Sequence, residues 1–155
     1  MRTELRVAAY AVCVRDGAIL LARWVAPHGV KRWTLPGGGM DHGEDPVETV
    51  VREVEEETGY AAEPTTLLGI DSIRRSWPRR LGAAGDWQGL RIVYEARITG
   101  GELRPETNGS TDLAAWHPLD AVPALDRVAL VDVGLQLWRD RPPLGHSPLS
   151  DPANG

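Results

Sequence analysis

The sequence holds a single cysteine, Cys13, so no internal disulfide can form. Its place inside the apolar run of residues 7–14 reads as a small buried side chain in a reducing compartment. Nowhere do about 18 apolar residues follow one another, and the first residues, Met1-Arg2-Thr3-Glu4-Leu5-Arg6, carry no apolar core. Neither a membrane span nor an export signal is expected, and a cytoplasmic location follows as the expectation. Positive charge is not in excess either: 17 Lys and Arg stand against 22 Asp and Glu, a net charge of -5 with a pI near 5.3. Phosphate backbones are held mainly by clustered Lys and Arg, so this balance argues against a general nucleic-acid binder. The four histidines, His28, His42, His117 and His146, are scattered without ligand spacing, which argues against zinc. No internal repeat is present.

What remains is 155 residues, 42% hydrophobic and 25% charged, enough for one globular domain with a real core. The domain is expected over residues 1–140. Residues 141–155 hold four prolines and little apolar material, and are expected to be a disordered tail. Residues 5–14 and 18–24 read as two strands of a hairpin joined at Arg15-Asp16-Gly17. A short extended piece precedes Pro36, and further strands are expected over residues 65–76, 90–99 and 112–118. Residues 77–89, with Pro78, Gly82, Gly85 and Gly89, read as a surface loop. The apolar spacing over residues 124–138 predicts a second helix.

The most informative stretch is RWTLPGGGMDHGEDPVETVVREVEEETGY, residues 32–60. Asp45 suits the N-cap of a helix and Pro46 its first position, and Glu48 completes a capping box. Gly59 suits the left-handed residue that ends it, so a helix is predicted over Pro46–Thr58. At roughly 100° per residue, Val47, Val50, Val51 and Val54 share one arc and are expected to be the buried side. Arg52, Glu53, Glu56 and Glu57 share the neighbouring arc. Like charges one turn apart destabilise a helix by about 0.2–0.5 kcal/mol per pair when exposed, and by more in a partly dry cleft. A bound magnesium ion offsets that repulsion, since hard dications take carboxylate oxygens and substrate phosphates. Gly37, Gly38 and Gly39 allow the backbone to bend tightly beside the helix, with the Gly37 carbonyl free of side-chain obstruction.

The same stretch resembles the Nudix hydrolases, whose box reads G-x5-E-x7-R-E-U-x-E-E-x-G-U with U a bulky apolar residue. Gly38, Glu44, Arg52, Glu53, Val54, Glu56, Glu57, Gly59 and Tyr60 fit it. With each fixed residue at about 7% abundance, the chance of all the fixed letters matching at one position is on the order of 10⁻⁸. Tyr60 stands where an aliphatic residue is more usual. The segment AAWHPLDAV looks like the family's closing strand and the turn before its last helix. The resemblance implies an α/β fold, a Nudix-like α/β/α sandwich with a mixed β-sheet. It also implies hydrolysis of a nucleoside diphosphate linked to another group, with Mg²⁺ or Mn²⁺ as cofactor. By analogy Glu56 and Glu57 bind metal, the Gly37 carbonyl joins them, and Glu53 either ligates or accepts a proton from the attacking water. Arg52, with Glu48 or Glu56 one turn away as partners, orients the carboxylates, and Glu44 either anchors the loop or contacts a metal indirectly. The many dimeric relatives make a homodimer an expectation.

Outside the box, Glu102, Glu106 and Asp112 are candidates for a general base. Arg74 and Arg75, with Arg79, Arg80, Trp77 and Trp87 nearby, are candidates for gripping phosphate and stacking a base. The rival to the hydrolase is a Nudix-like sensor domain that binds a nucleotide derivative without cleaving it. Such sensors usually lose box carboxylates, whereas this chain keeps them all.

Overall fold

The structure is a computed structural model, and it describes residues 2–78 and 82–150. Strand β1 (Arg2–Val12) runs into a two-residue strand β2 (Val14–Arg15), which turns back as β3 (Ala18–Val25). Asp16 and Gly17 both take positive φ, 53° and 76°. That pair forms the two-residue turn whose twist suits a hairpin. The hairpin differs from expectation in one respect. Only Val14 and Arg15 pair with β3, while β1 belongs to another sheet. The chain changes sheet at Cys13, whose carbonyl still accepts from the Leu20 N–H at 3.0 Å.

Two short strands follow, β4 (Lys31–Thr34) and β5 (Gly37–Gly39), then helix α1 (Pro46–Thr58). Two long strands come next, β6 (Tyr60–Trp77) and β7 (Gly85–Gly101), then β8 (Thr111–Pro118) and helix α2 (Ala129–Asp140). The first sheet has the order β5-β1-β7-β6 and is mixed, because β1 and β7 are parallel while β1 with β5 and β6 with β7 are antiparallel. The second is built on β3, flanked by β4 and β8. Residues 125–128 lie ahead of α2, which therefore starts later than its apolar spacing suggests.

Alternation along the strands sends neighbouring side chains to opposite faces. Ala9, Ala11, Cys13 and Leu20 pack with Val50 and Val54 of α1. Val12, Ile19 and Leu21 pack with Leu130, Val133 and Leu137 of α2. Strands thus lie between two helices, the sandwich expected from the resemblance. Cys13 is buried as anticipated, and burial pushes its thiol up to about 12, which leaves it unreactive at neutral pH.

Helix α1 carries its expected caps. The Asp45 side chain accepts from the Glu48 N–H at 2.9 Å, and Gly59 sits at φ 82° with its N–H on the Glu55 carbonyl. A Cβ on Gly59 would lie 2.2 Å from the Glu102 carbonyl oxygen. Gly59→Ala is therefore expected to cost about 2–4 kcal/mol, combining left-handed strain with the clash, as read from a urea unfolding curve.

The helix is rotated from the orientation that its valines alone suggest. Val50 and Val54 are fully buried, but Val47 and Val51 are 43% and 37% exposed. The buried face runs instead through Thr49, Val50, Val54, Glu57 and Thr58. This rotation turns the acidic flank towards β5.

The last segment also departs from expectation. Residues 141–150 do not hang free: the Ile70 N–H donates to the Gly145 carbonyl at 2.9 Å, and Ser147 is buried. The free edge of β6 offers unpaired backbone groups, and this proline-rich segment takes part of that row.

Candidate functional site

The rotation of α1 brings Glu53 and Glu57 against the glycines of β5. Glu57 is 4% exposed, and its Oε2 accepts from the Gly37 N–H at 3.2 Å. Glu53 lies over Gly38 so closely that a Cβ there would stand 2.8 Å from its Oε1. The absence of a side chain at Gly38 is thus required by the position of Glu53. The two carboxyls thus meet adjacent glycines of the same strand. Burial, and then the charge of Glu53, push the Glu57 carboxyl well above its ordinary value, against the opposing pull of the Gly37 N–H. Burial raises Glu53 also, although Arg52 beside it acts in the opposite direction.

Arg52 spends its guanidinium on holding this arrangement. Its Nε and Nη2 donate to Glu44 at 2.7 and 2.9 Å, its Nη1 to Glu53 Oε1 at 3.0 Å, and its Nη2 to the Gly39 carbonyl at 3.1 Å. Glu56 is a longer partner, at 3.3 Å, and its side chain is 48% exposed. Glu48 is not among the partners of Arg52 in the structure; Glu44, eight residues back, takes that place. Glu44 also accepts from the Asp41 N–H at 2.8 Å and from the Thr49 hydroxyl at 3.1 Å. The Arg52 hydrogen bonds, and then the Asp41 N–H, hold the Glu44 carboxyl down at about 2. Glu44 is thereby an anchor that ties the glycine loop to the helix through a permanently charged group.

A cleft of about 560 Å³ opens above Gly37, Gly38 and Glu57, with Tyr10, Arg75 and Trp87 among its walls. The candidates Arg74 and Arg75 separate here, since neighbouring strand residues face opposite ways. Arg75 lines the cleft, whereas Arg74 is ion-paired with Asp86 on the other face. Trp87 lines the cleft; the Trp77 indole instead donates to the Ala83 carbonyl at 2.9 Å. Arg79 and Arg80 lie outside the described residues. Among the base candidates, Glu106 is near enough for its charge to raise Glu57 further, and it accepts from the Thr111 hydroxyl. Asp112 is bound by Arg23 and Lys31, each at 2.9 Å, and held well below the usual carboxylate range. It therefore makes a poor proton acceptor. Trp24, Arg6 and Arg91 also border the cleft, and none was singled out from sequence. They come from β1, β3 and β7, strands of two different sheets, and only the tertiary fold assembles them.

No three His, Cys, Asp or Glu side chains among the described residues are already gathered as a ligand cage. Glu56 is turned outward onto Arg52, which also holds one oxygen of Glu53. The donor set nevertheless suits a hard dication. It is all oxygen, with the buried Glu57 carboxyl, the half-buried Glu53 carboxyl and a third one turn away, and magnesium is typically held by one or two carboxylates plus substrate phosphates.

A family model for the NUDIX domain matches residues 4–135. The 8-oxo-dGDP phosphatase NUDT18 of Homo sapiens is 37% identical over 110 residues, 67% of this chain and 30% of that protein. The putative ADP-ribose pyrophosphatase YjhB of Bacillus subtilis is 37% identical over 112 residues, 72% of this chain and 49% of its own length. The chain therefore spans half or less of these two relatives. Among solved structures, a MutT Nudix hydrolase from Burkholderia pseudomallei superposes with a TM-score of 0.66 at 34% identity, covering 86% of this chain and 97% of that one. A match over most of the chain, the complete box and the shared fold agree: the chain belongs to the Nudix hydrolase family.

Proposed function

We propose that this chain is a dication-dependent pyrophosphohydrolase that splits the diphosphate of a small nucleoside diphosphate derivative. The observation that carries the reading is the pairing of the buried Glu57 with the half-buried Glu53, set against Gly37 and Gly38. A folded chain has no packing reason to bury one carboxyl beside a second against the glycines of a cleft, and an opposing cation removes the repulsion. In this reading Glu53, Glu56, Glu57 and the Gly37 carbonyl hold Mg²⁺ or Mn²⁺. Such an ion, when bound, neutralises phosphoryl oxygens and lowers the pKa of water.

The chain's own groups do the remaining work. Arg52 fixes Glu53 through Oε1, leaving Oε2 to accept a proton from an attacking water. Arg75 meets phosphate from the opposite wall, and Trp87 offers a flat face to a base. Arg74 is taken out of this role by its pairing with Asp86. The relatives' names mention 8-oxo-dGDP and ADP-ribose, so family membership leaves the linked group open. The same reading includes a cytoplasmic protein with a small-molecule partner rather than nucleic acid, acting as a homodimer. Among the described residues no helix is long and apolar enough to cross a membrane.

One assay tests it against the sensor alternative. The protein is incubated with nucleoside triphosphates, ADP-ribose, dinucleoside polyphosphates and NADH, with and without Mg²⁺, and release of phosphate, pyrophosphate or nucleoside monophosphate is measured. Dication-dependent release from at least one substrate is expected. Tight binding without turnover on any of them makes the chain a sensor.

A further inference from the structure

A second chamber of about 820 Å³ adjoins the cleft above Glu57. The two share Trp24, Ile73, Arg75, Arg91 and Val128 as lining, so they are immediate neighbours. Part of the wall of the second chamber comes from Pro148 and Leu149, in the segment that follows α2.

That segment is built into place at several points. The Ile70 N–H donates to the Gly145 carbonyl at 2.9 Å, and the Ser72 N–H to Ser150 Oγ at 3.3 Å. Ser147 is 1% exposed and its hydroxyl donates to Gln136 of α2 at 2.9 Å. The close approach requires glycine on β6, because a Cβ at Gly69 would stand 2.2 Å from the Gly145 carbonyl oxygen.

An independent observation marks the chamber as a binding place. Asp71 lines it at 1% exposure; its Oδ2 accepts from Arg91, while Oδ1 has no hydrogen-bond partner among the described residues. Buried polar atoms are nearly always satisfied, so an unpaired carboxylate oxygen here calls for a donor beyond the described residues, which a bound hydroxyl can supply.

We propose that residues 141–150 act as a strap that completes a subsite for the group beyond the substrate's diphosphate, and that this subsite takes a hydroxyl-bearing group such as a sugar. Hydroxyls donate to Asp71, Arg75 supplies a donor at the junction of the two chambers, and Leu149 limits the size. This placement rests on the reading of the Glu53–Glu57 floor as the diphosphate end.

Calorimetric titration of the metal-free full chain with ADP-ribose and with ADP tests the subsite. ADP-ribose is expected to bind about tenfold more tightly than ADP. Leu149→Trp, at an exposed position, fills the chamber and is expected to abolish that advantage while leaving ADP within about twofold. Gly69→Ala displaces the strap from β6, and is expected to reduce the same ratio and to speed chymotryptic cleavage after Leu149. Equal weakening of both ligands, an unchanged ratio, binding of neither, or a strap as sensitive to chymotrypsin in the parent chain as in Gly69→Ala overturns the proposal. An unchanged ratio with turnover intact defeats the subsite alone. A shifted ratio without turnover on any substrate defeats the hydrolase reading alone.

Discussion

Glu57→Gln is expected to raise the melting temperature of the metal-free protein while lowering dication-dependent turnover by more than about 100-fold. The two effects share one cause. Glu57 is buried beside Glu53, and both burial and that neighbour push its carboxyl well above the ordinary 4.5. The folded state therefore holds the proton more tightly than the unfolded state does. The resulting stabilisation is complete below 4.5 and is lost as the pH rises through the raised value. At neutral pH without a cation, the ionised side chain costs stability. Glutamine keeps the shape and removes the charge, so a gain of about 1 kcal/mol, ~2–4 °C for a chain of this size, is expected. Metal-free melting temperatures measured from about pH 5 to about pH 8 are expected to fall for the parent chain relative to the variant. Glu44 works in the opposite sense: held at about 2, it contributes stability above the ordinary value of 4.5 that is lost only as the pH drops towards 2. Because Glu44 is unchanged in both proteins, the difference between the two curves isolates the Glu53–Glu57 pair. A variant with parental turnover, or with an unchanged curve, contradicts the assignment.

The second large effect is expected at Arg52, even when the charge is kept. Arg52→Lys is expected to lower turnover and apparent dication affinity together by about 10–100-fold. The guanidinium simultaneously reaches Glu44 through two nitrogens, Glu53 through a third, and the Gly39 carbonyl. A lysine ammonium is a single point of charge and cannot span these acceptors. Arg52 is therefore a positioning residue, and its signature is the dication dependence. A lysine variant whose turnover falls at saturating dication without any change in the dication concentration needed for half-maximal rate contradicts the role. So does a variant with parental values of both.

Much of this site was legible because its signals are local. Asp45, Pro46 and Gly59 bound α1 by capping chemistry that works within a few residues, and the helix observed has the predicted ends. The acidic flank followed from helical geometry alone. What was not legible depends on how elements meet. The rotation that exposes Val47 and Val51 and buries Glu57 is set by packing on β1, β5 and β6, which periodicity within α1 does not encode. The same limit applies at Cys13, where an unbroken apolar run crosses from one sheet to another. Arg74 and Arg75 look equivalent in sequence, and strand alternation separates them only once the cleft side of β6 is known. The proline content of residues 141–150 suggested disorder, but proline-rich chain can still donate and accept hydrogen bonds at a sheet edge, and the free edge of β6 provides one. The pairing of Asp71 with Arg91 likewise requires the β6–β7 register, which no local motif announces.

The claim beneath all of this is that Glu53 and Glu57 together hold a dication at the cleft floor. The most direct measurement is calorimetric titration of Mn²⁺ into the parent chain and into a Glu53→Gln/Glu57→Gln double variant. A saturable heat in the parent chain that vanishes in the double variant is the predicted result. No heat in the parent chain, or the same heat in both proteins, contradicts it.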